Sequence, residues 1–156
     1  MKKLLSVVCC AVCVIISSCH KDTKVIRQDF YFNSSKNGVD WGAQGSAAKI
    51  LGDSLRITAF RPTGEEQLYI DIKFNGAGTY PLTLGQAKFF TTIGMDALTS
   101  DYRLDTTQHS KLVISSYDAK NNIISGSGDF YMLKNSITEY VQLTFGGSSF
   151  RVKLPE

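Results

Sequence analysis

Apolar side chains recur at every second position along much of the chain. In Leu68-Tyr69-Ile70-Asp71-Ile72-Lys73-Phe74 the apolar residues alternate with Tyr69, Asp71 and Lys73, the pattern of an antiparallel strand with one face on a core and the other toward water. Val141, Leu143 and Phe145 repeat it, and so do Phe150, Val152 and Leu154, with Arg151 and Lys153 facing the other way. Between these runs, Gly146-Gly147 suits the φ > 0 positions of a two-residue hairpin turn, which sets Leu143 opposite Phe150 and Val141 opposite Val152. A four-residue loop from Gly146 to Ser149 keeps the same faces, whereas a three-residue loop without a bulge puts serine opposite Phe145. Gly52-Asp53, between Ile50 and Leu55, predicts a second tight hairpin with Ala48 facing Ile57.

Further strands are predicted at about Ile26 to Phe32, Thr79 to Leu84, Lys111 to Tyr117 and Ile123 to Leu133, with turns at Asn37-Gly38, Asn75-Gly76 and Asn121-Asn122. Only the segment from Leu84 to Asp96 has room for a short helix, around Gly85 to Phe90. Roughly eight or nine strands suffice for two packed sheets or a closed barrel. The expectation is an all-β fold, a single antiparallel β-sandwich with a β-barrel as the alternative, formed by residues 26–156.

The first residues break the alternation. Lys2 and Lys3 precede an apolar run from Leu4 to Ile16 and then the small residues Ser17 and Ser18, the layout of a cleaved secretory signal. The run is shorter than the roughly 20 apolar residues of a spanning helix. All four cysteines, Cys9, Cys10, Cys13 and Cys19, fall in this region beside His20. Cys10 and Cys13 form a lone C-x-x-C inside the apolar run, without the second pair that a zinc site needs or the βαβ context of a redox motif.

Ile16-Ser17-Ser18-Cys19 resembles the lipobox of bacterial lipoproteins, an aliphatic residue and two small ones before an invariant cysteine. The resemblance implies a diacylglyceryl group on the Cys19 sulfur, cleavage between Ser18 and Cys19, and acylation, with palmitate for example, of the new amino terminus. Residues 1–18 are then the lipoprotein signal peptide and 19–25 a lipidated tether. Two or more acyl chains anchor stably where one does not, so the expected partner is the membrane itself, through the lipid on Cys19. The expected location is the outer membrane, on its periplasmic face or at the cell surface; Lys21-Asp22 resembles the charged surface-export signal of some Bacteroidota lipoproteins.

Removing the signal changes the charge. The 17 basic side chains less Lys2 and Lys3 are 15, against 14 acidic ones, so no nucleic acid is expected as a partner. The 156 residues less 18 leave 138, the size of one domain. No cysteine follows Cys19, so the domain is held by its core rather than by disulfides.

Candidate chemistry is sparse. Asp101, Asp105 and His109 recur every four residues, but Thr106-Thr107 and the lack of an apolar face argue against the helix that would align them as metal ligands. Nucleophilic catalysis needs a base, and His109 is the only histidine beyond the tether. The ISGSGD stretch from Ile124 to Asp129 lacks the G-x-S-x-G spacing of a nucleophile elbow, and Gly126 and Gly128 fit a bulge or a close sheet crossing. Glu65-Glu66, after Pro62-Thr63-Gly64, reads as an exposed loop tip, and Trp41 as a core plug after a turn. Tyr69 and Tyr140 fall on the polar side of their strands, where sugar-binding β modules stack pyranose rings; packing on half-buried sheet faces explains tyrosines equally. No enzyme, metal or cofactor is expected.

Two segments carry a family resemblance. NGVDWGA at Asn37 to Ala43 and LVISSYDAKNNIISGSGDF at Leu112 to Phe130 resemble the patterns of small Bacteroidota lipoproteins with domains of unknown function. The resemblance implies a β-sandwich-like lipoprotein of a Gram-negative bacterium and no known activity. The function expected is a non-enzymatic binding or structural module at the cell envelope, with a glycan or an envelope protein as partner. The alternative is a carrier of a small apolar ligand in a barrel cavity.

Overall fold

The structure is a computed structural model that describes residues 29–49 and 52–155. The signal, the tether with Cys19, and Ile50 and Leu51 lie outside those residues. The described residues form ten strands and no helix: β1 (Tyr31–Lys36), β2 (Val39–Lys49), β3 (Ser54–Phe60), β4 (Glu66–Lys73), β5 (Gly78–Pro81), β6 (Ala87–Ile93), β7 (Ala97–Leu104), β8 (Lys111–Asp118), β9 (Ile123–Lys134) and β10 (Gln142–Lys153). All pair antiparallel in one sheet of order β10-β1-β2-β3-β4-β6-β7-β9-β8-β5. The all-β antiparallel architecture is the one the alternation predicts.

β9 gives the sheet its shape. One of its edges pairs with β10 from Ile123 to Leu133; the other is divided, with β8 along Ile123 to Asp129 and β7 along Met132 to Lys134. The sheet thus returns on itself through β9 and β10 while β8 and β5 branch away. It forms neither two separately bonded sheets nor a clean barrel. The inward faces meet across a single core, as Trp41 of β2 packs edge-on against Phe89 of β6 and Phe145 of β10, with centroids 6.3 and 5.1 Å apart. Phe32, Phe130 and Phe150 continue the cluster and are fully buried. Such rings bury roughly 150–250 Å² each, so they carry much of the hydrophobic stabilisation.

Four local expectations are corrected. Gly146-Gly147 is not a hairpin turn: β10 runs unbroken from Gln142 to Lys153, and an extra residue bulges between Phe145 and Ser148. Gly147 takes the left-handed conformation, φ 58°, and its N–H donates to Asp129 Oδ1 at 3.0 Å. The inserted residue flips the buried phase from Leu143 and Phe145 to Ser148, Phe150 and Val152. Ser148 Oγ lies 2.8 Å from Ser34 Oγ, so the bulge's buried hydroxyl is satisfied.

The hairpin at Gly52-Asp53 exists with a register one residue away from that expected, pairing Ala47, not Ala48, with Ile57. Trp41, Ala43 and Ala47 are the buried phase of β2, and only an odd loop puts that phase opposite the buried phase of β3, with Ala47 on Ile57 and Gly45 on Ala59. The predicted helix around Gly85 to Phe90 is the turn Thr83 to Gln86 followed by β6, where Ala87 and Phe89 are buried and Lys88 is exposed. Finally, the Asp101 segment, outside the strands expected from the alternation, forms β7 and pairs with β6. The turns at Asn37-Gly38, Asn75-Gly76 and Asn121-Asn122 are present, with positive φ at Asn37, Gly38, Gly76 and Asn122.

Candidate functional site

The pairing pattern gives the molecule two poles. β1, β3, β6 and β9 run one way and β2, β4, β7 and β10 the other, so the β1–β2, β3–β4, β6–β7 and β9–β10 connections lie at one end and the β2–β3 hairpin at the other. Tyr31, near the start of the described chain, pairs with Arg151 at the opposite end. The first described residues and the C-terminal Leu154 and Pro155 therefore share a near pole, and the four turns form a far pole.

The far pole carries an unusual share of exposed apolar side chains. Val39 follows the first turn; Ile93, Met95 and Leu98 form the β6–β7 hairpin; Ile137, Tyr140 and Val141 lie in the β9–β10 connection. Among the described residues only Leu84 is a large, exposed apolar residue elsewhere. Met95 is also conformationally strained. With Gly94 at φ 61° and Met95 at φ 66°, the tip is a turn with two left-handed residues, and a left-handed non-glycine costs about 1 kcal/mol or more. Met95 folds over Gly64 of the β3–β4 turn, where an added Cβ would meet its sulfur at 2.6 Å.

Beneath this rim sits a charged plug. Glu66 occupies the buried phase of β4, in line with Leu68, Ile70 and Ile72, and so turns inward rather than forming an exposed tip with Glu65. Its Oε2 accepts the Trp41 indole N–H at 2.6 Å and Arg61 Nη1 at 3.3 Å, while Oε1 pairs with Lys36. Burial opposes its ionisation, but the hydrogen bonds from Lys36 and Trp41 and the charges of Lys36 and Arg61 outweigh burial and hold the carboxyl below its ordinary 4.5. Trp41 is a core plug, as expected, at 1% exposure. Lys36 and Arg61 serve Glu66, and Lys134 pairs with Glu139. Asp40, Glu65 and Asp96 join no ion pair among the described residues. The rim is thus apolar with an acidic excess.

The other sequence candidates disperse. Asp101 accepts from Asn135 Nδ2, Asp105 is buried and His109 is exposed. No group of three or more histidine, cysteine or acidic side chains among the described residues forms a metal site. Asp105 and His109 do line one groove with Ser110, but no hydrogen bond joins them among the described residues, and Ser110 Oγ accepts the Tyr131 N–H at 3.0 Å. Gly126 and Gly128 mark a close crossing: a Cβ on Gly126 would run into the Val113 carbonyl oxygen, and one on Gly128 would lie 2.9 Å from that of Lys111.

Tyr69 points outward, as its strand position predicts. It lies between Phe90 from β6, ring centroids 5.4 Å apart and 13° from parallel, and the Arg56 guanidinium from β3, 5.5 Å from its centroid. Arg56 in turn holds Asp71 through two bonds of 2.7 Å. These neighbours take up the ring faces that a sugar would need. Tyr80, Tyr102 and Tyr117 pack against the core. Sequence reasoning missed the rim because its residues come from separate turns; the run Ile93-Gly94-Met95, apolar at a turn glycine, was the one local sign.

Fold and surface together define an all-β domain with an exposed apolar pole and no assembled catalytic group among the described residues. The chain belongs to a family described as a domain of unknown function, DUF6252, whose profile matches residues 14–152. No curated protein and no solved structure matches it.

Proposed function

We propose that this protein is a lipid-anchored, non-enzymatic module of a bacterial outer membrane that holds an envelope protein against its far pole. The observation that carries the reading is the gathering of seven of the eight large exposed apolar side chains among the described residues at the β1–β2, β6–β7 and β9–β10 connections, opposite the end where the described chain begins. Patches of this kind mark interaction surfaces. A lipid on Cys19, with the tether 19–25, attaches to the near pole and leaves the rim facing away from the membrane. The acidic residues Asp40, Glu65 and Asp96 make an anionic bilayer a poor occupant, since interfacial surfaces rely on lysine and arginine. They suit a protein surface that is apolar at its centre and basic around it. A glycan is less well served, because the Tyr69 ring is flanked on both sides. The aromatic side chains that fill the interior likewise disfavour a ligand carried there.

The test is photocrosslinking in intact cells. A photoreactive side chain replacing Ile137 or Leu98 should give one discrete adduct with an envelope protein, and the same group replacing Lys153 at the near pole should not. No adduct, or the same adduct from both poles, refutes the proposal. Cys19→Ala should abolish palmitate labelling and membrane retention; a variant that stays labelled and membrane-bound removes the anchor.

A further inference from the structure

A groove separate from the far pole lies between the β5–β6 and β7–β8 connections. It encloses about 480 Å³, within the range of small-molecule sites. Pro81, Leu82, Leu84 and Leu104 make it largely apolar, and Leu84, 61% exposed, is the one large apolar residue displayed away from the rim among the described residues.

Asp105, only 3% exposed, lines the same groove. Its Oδ1 accepts the Thr107 N–H at 2.9 Å and the Thr107 hydroxyl at 2.6 Å, which closes the turn after β7. Its Oδ2 is buried with no hydrogen-bond partner among the described residues. An unsatisfied buried carboxylate oxygen is costly, and native structures rarely keep one without a use for it. The turn needs only Oδ1, so the fold does not account for Oδ2. The other charged lining residue, Lys111, lies 3.9 Å from Asp129, leaving Asp105 as the unbalanced charge of the groove.

We infer that this groove binds a small amine: a protonated amino group donates to Asp105 Oδ2 while a short apolar body lies on Leu82, Leu84 and Leu104. Because Oδ2 is buried, binding requires the groove wall around it to open enough to admit the head group. Charge and hydrogen bond act together in this contact, which makes it stronger than the same contact with an alcohol.

The test uses the isotopically labelled mature chain, titrated with benzylamine, benzyl alcohol and benzoate and followed by the amide signals of Leu84, His109 and Ser110. Benzylamine should give saturable shifts at millimolar concentration, and the other two should not. Asp105→Asn keeps the Oδ1 bonds to Thr107 but opposes an ammonium with an amide donor; it should weaken benzylamine at least about tenfold. Leu84→Ser, on an exposed side chain that cannot upset the core, should weaken it roughly threefold and keeps the test open if the Asn variant fails to fold. Absence of saturable shifts, equal binding of benzyl alcohol, or an unchanged affinity in a folded Asp105→Asn variant overturns the assignment. The crosslinking at Ile137 and Leu98 is unaffected by either result.

Discussion

Glu66→Gln tests the charged plug under the far pole. The glutamine has the same shape, and its carbonyl oxygen can still accept the Trp41 N–H, but the charge shared with Lys36 and Arg61 is gone. The side chains of Glu66 and Lys36 are 18% and 24% exposed, so solvent screens their pair only partly, while Arg61 at 44% contributes little. Hydrogen bonds to charged groups are worth about 1.5–3 kcal/mol, which places the loss near 2 kcal/mol at neutral pH. For a domain of this size that lowers the melting temperature by roughly 5–10 °C. The effect should depend on pH in one direction. Because the folded carboxyl titrates below its ordinary 4.5, the unfolded chain binds more protons between the two values, and stability rises with pH there. The Glu66 contribution is complete above about 4.5 and is lost as pH falls through the lower folded value. Urea unfolding of both proteins from neutral to acid pH should therefore show curves that separate above this window and converge below it. Equal stability at neutral pH, or a constant difference at every pH, refutes the reasoning.

Three further outcomes follow from the backbone. Gly126→Ala drives a Cβ into the Val113 carbonyl oxygen and the Phe150 ring, and should cost about 3 kcal/mol or more or leave the protein insoluble, whereas Gly146→Ala, with open space around it, should change the unfolding free energy measured in urea by less than about 0.5 kcal/mol. Met95→Gly relieves the left-handed residue at the β6–β7 tip and should hold or raise thermal stability by up to about 1 kcal/mol; a clear drop in melting temperature would show that its contact with Gly64 outweighs the strain. Gly147→Val puts a β-branched residue at φ 58° and should destabilise by about 1–3 kcal/mol in the same assay, which a tolerated substitution would contradict.

Much of the fold was legible because period two is local. The faces of β3, β4, β8 and β9 follow from adjacent residues, as does Trp41 as a core residue. Even Glu66 gave a sign of its inward position, since it shares the phase of Leu68, Ile70 and Ile72. Its partners did not, because Trp41 and Lys36 lie 25 and 30 residues away in the chain. Separation in the chain likewise hid the groove that Leu84 and Asp105 line together, which forms only where the β5–β6 connection lies beside the β7–β8 loop.

Gly146-Gly147 marks the boundary between the two kinds of information. By itself, the sequence determined that the buried phase changes there, from odd positions at Leu143 and Phe145 to even ones at Phe150 and Val152. A hairpin and a bulge both produce that change. The choice belonged to β1 and β9, which hold β10 on its two edges on either side of the bulge, so that turning the chain back at the glycines would break ladders on both. Side-chain alternation is set by the backbone of each strand alone, whereas strand order, register and the gathering of turns at one pole depend on hydrogen-bond partners distant in sequence.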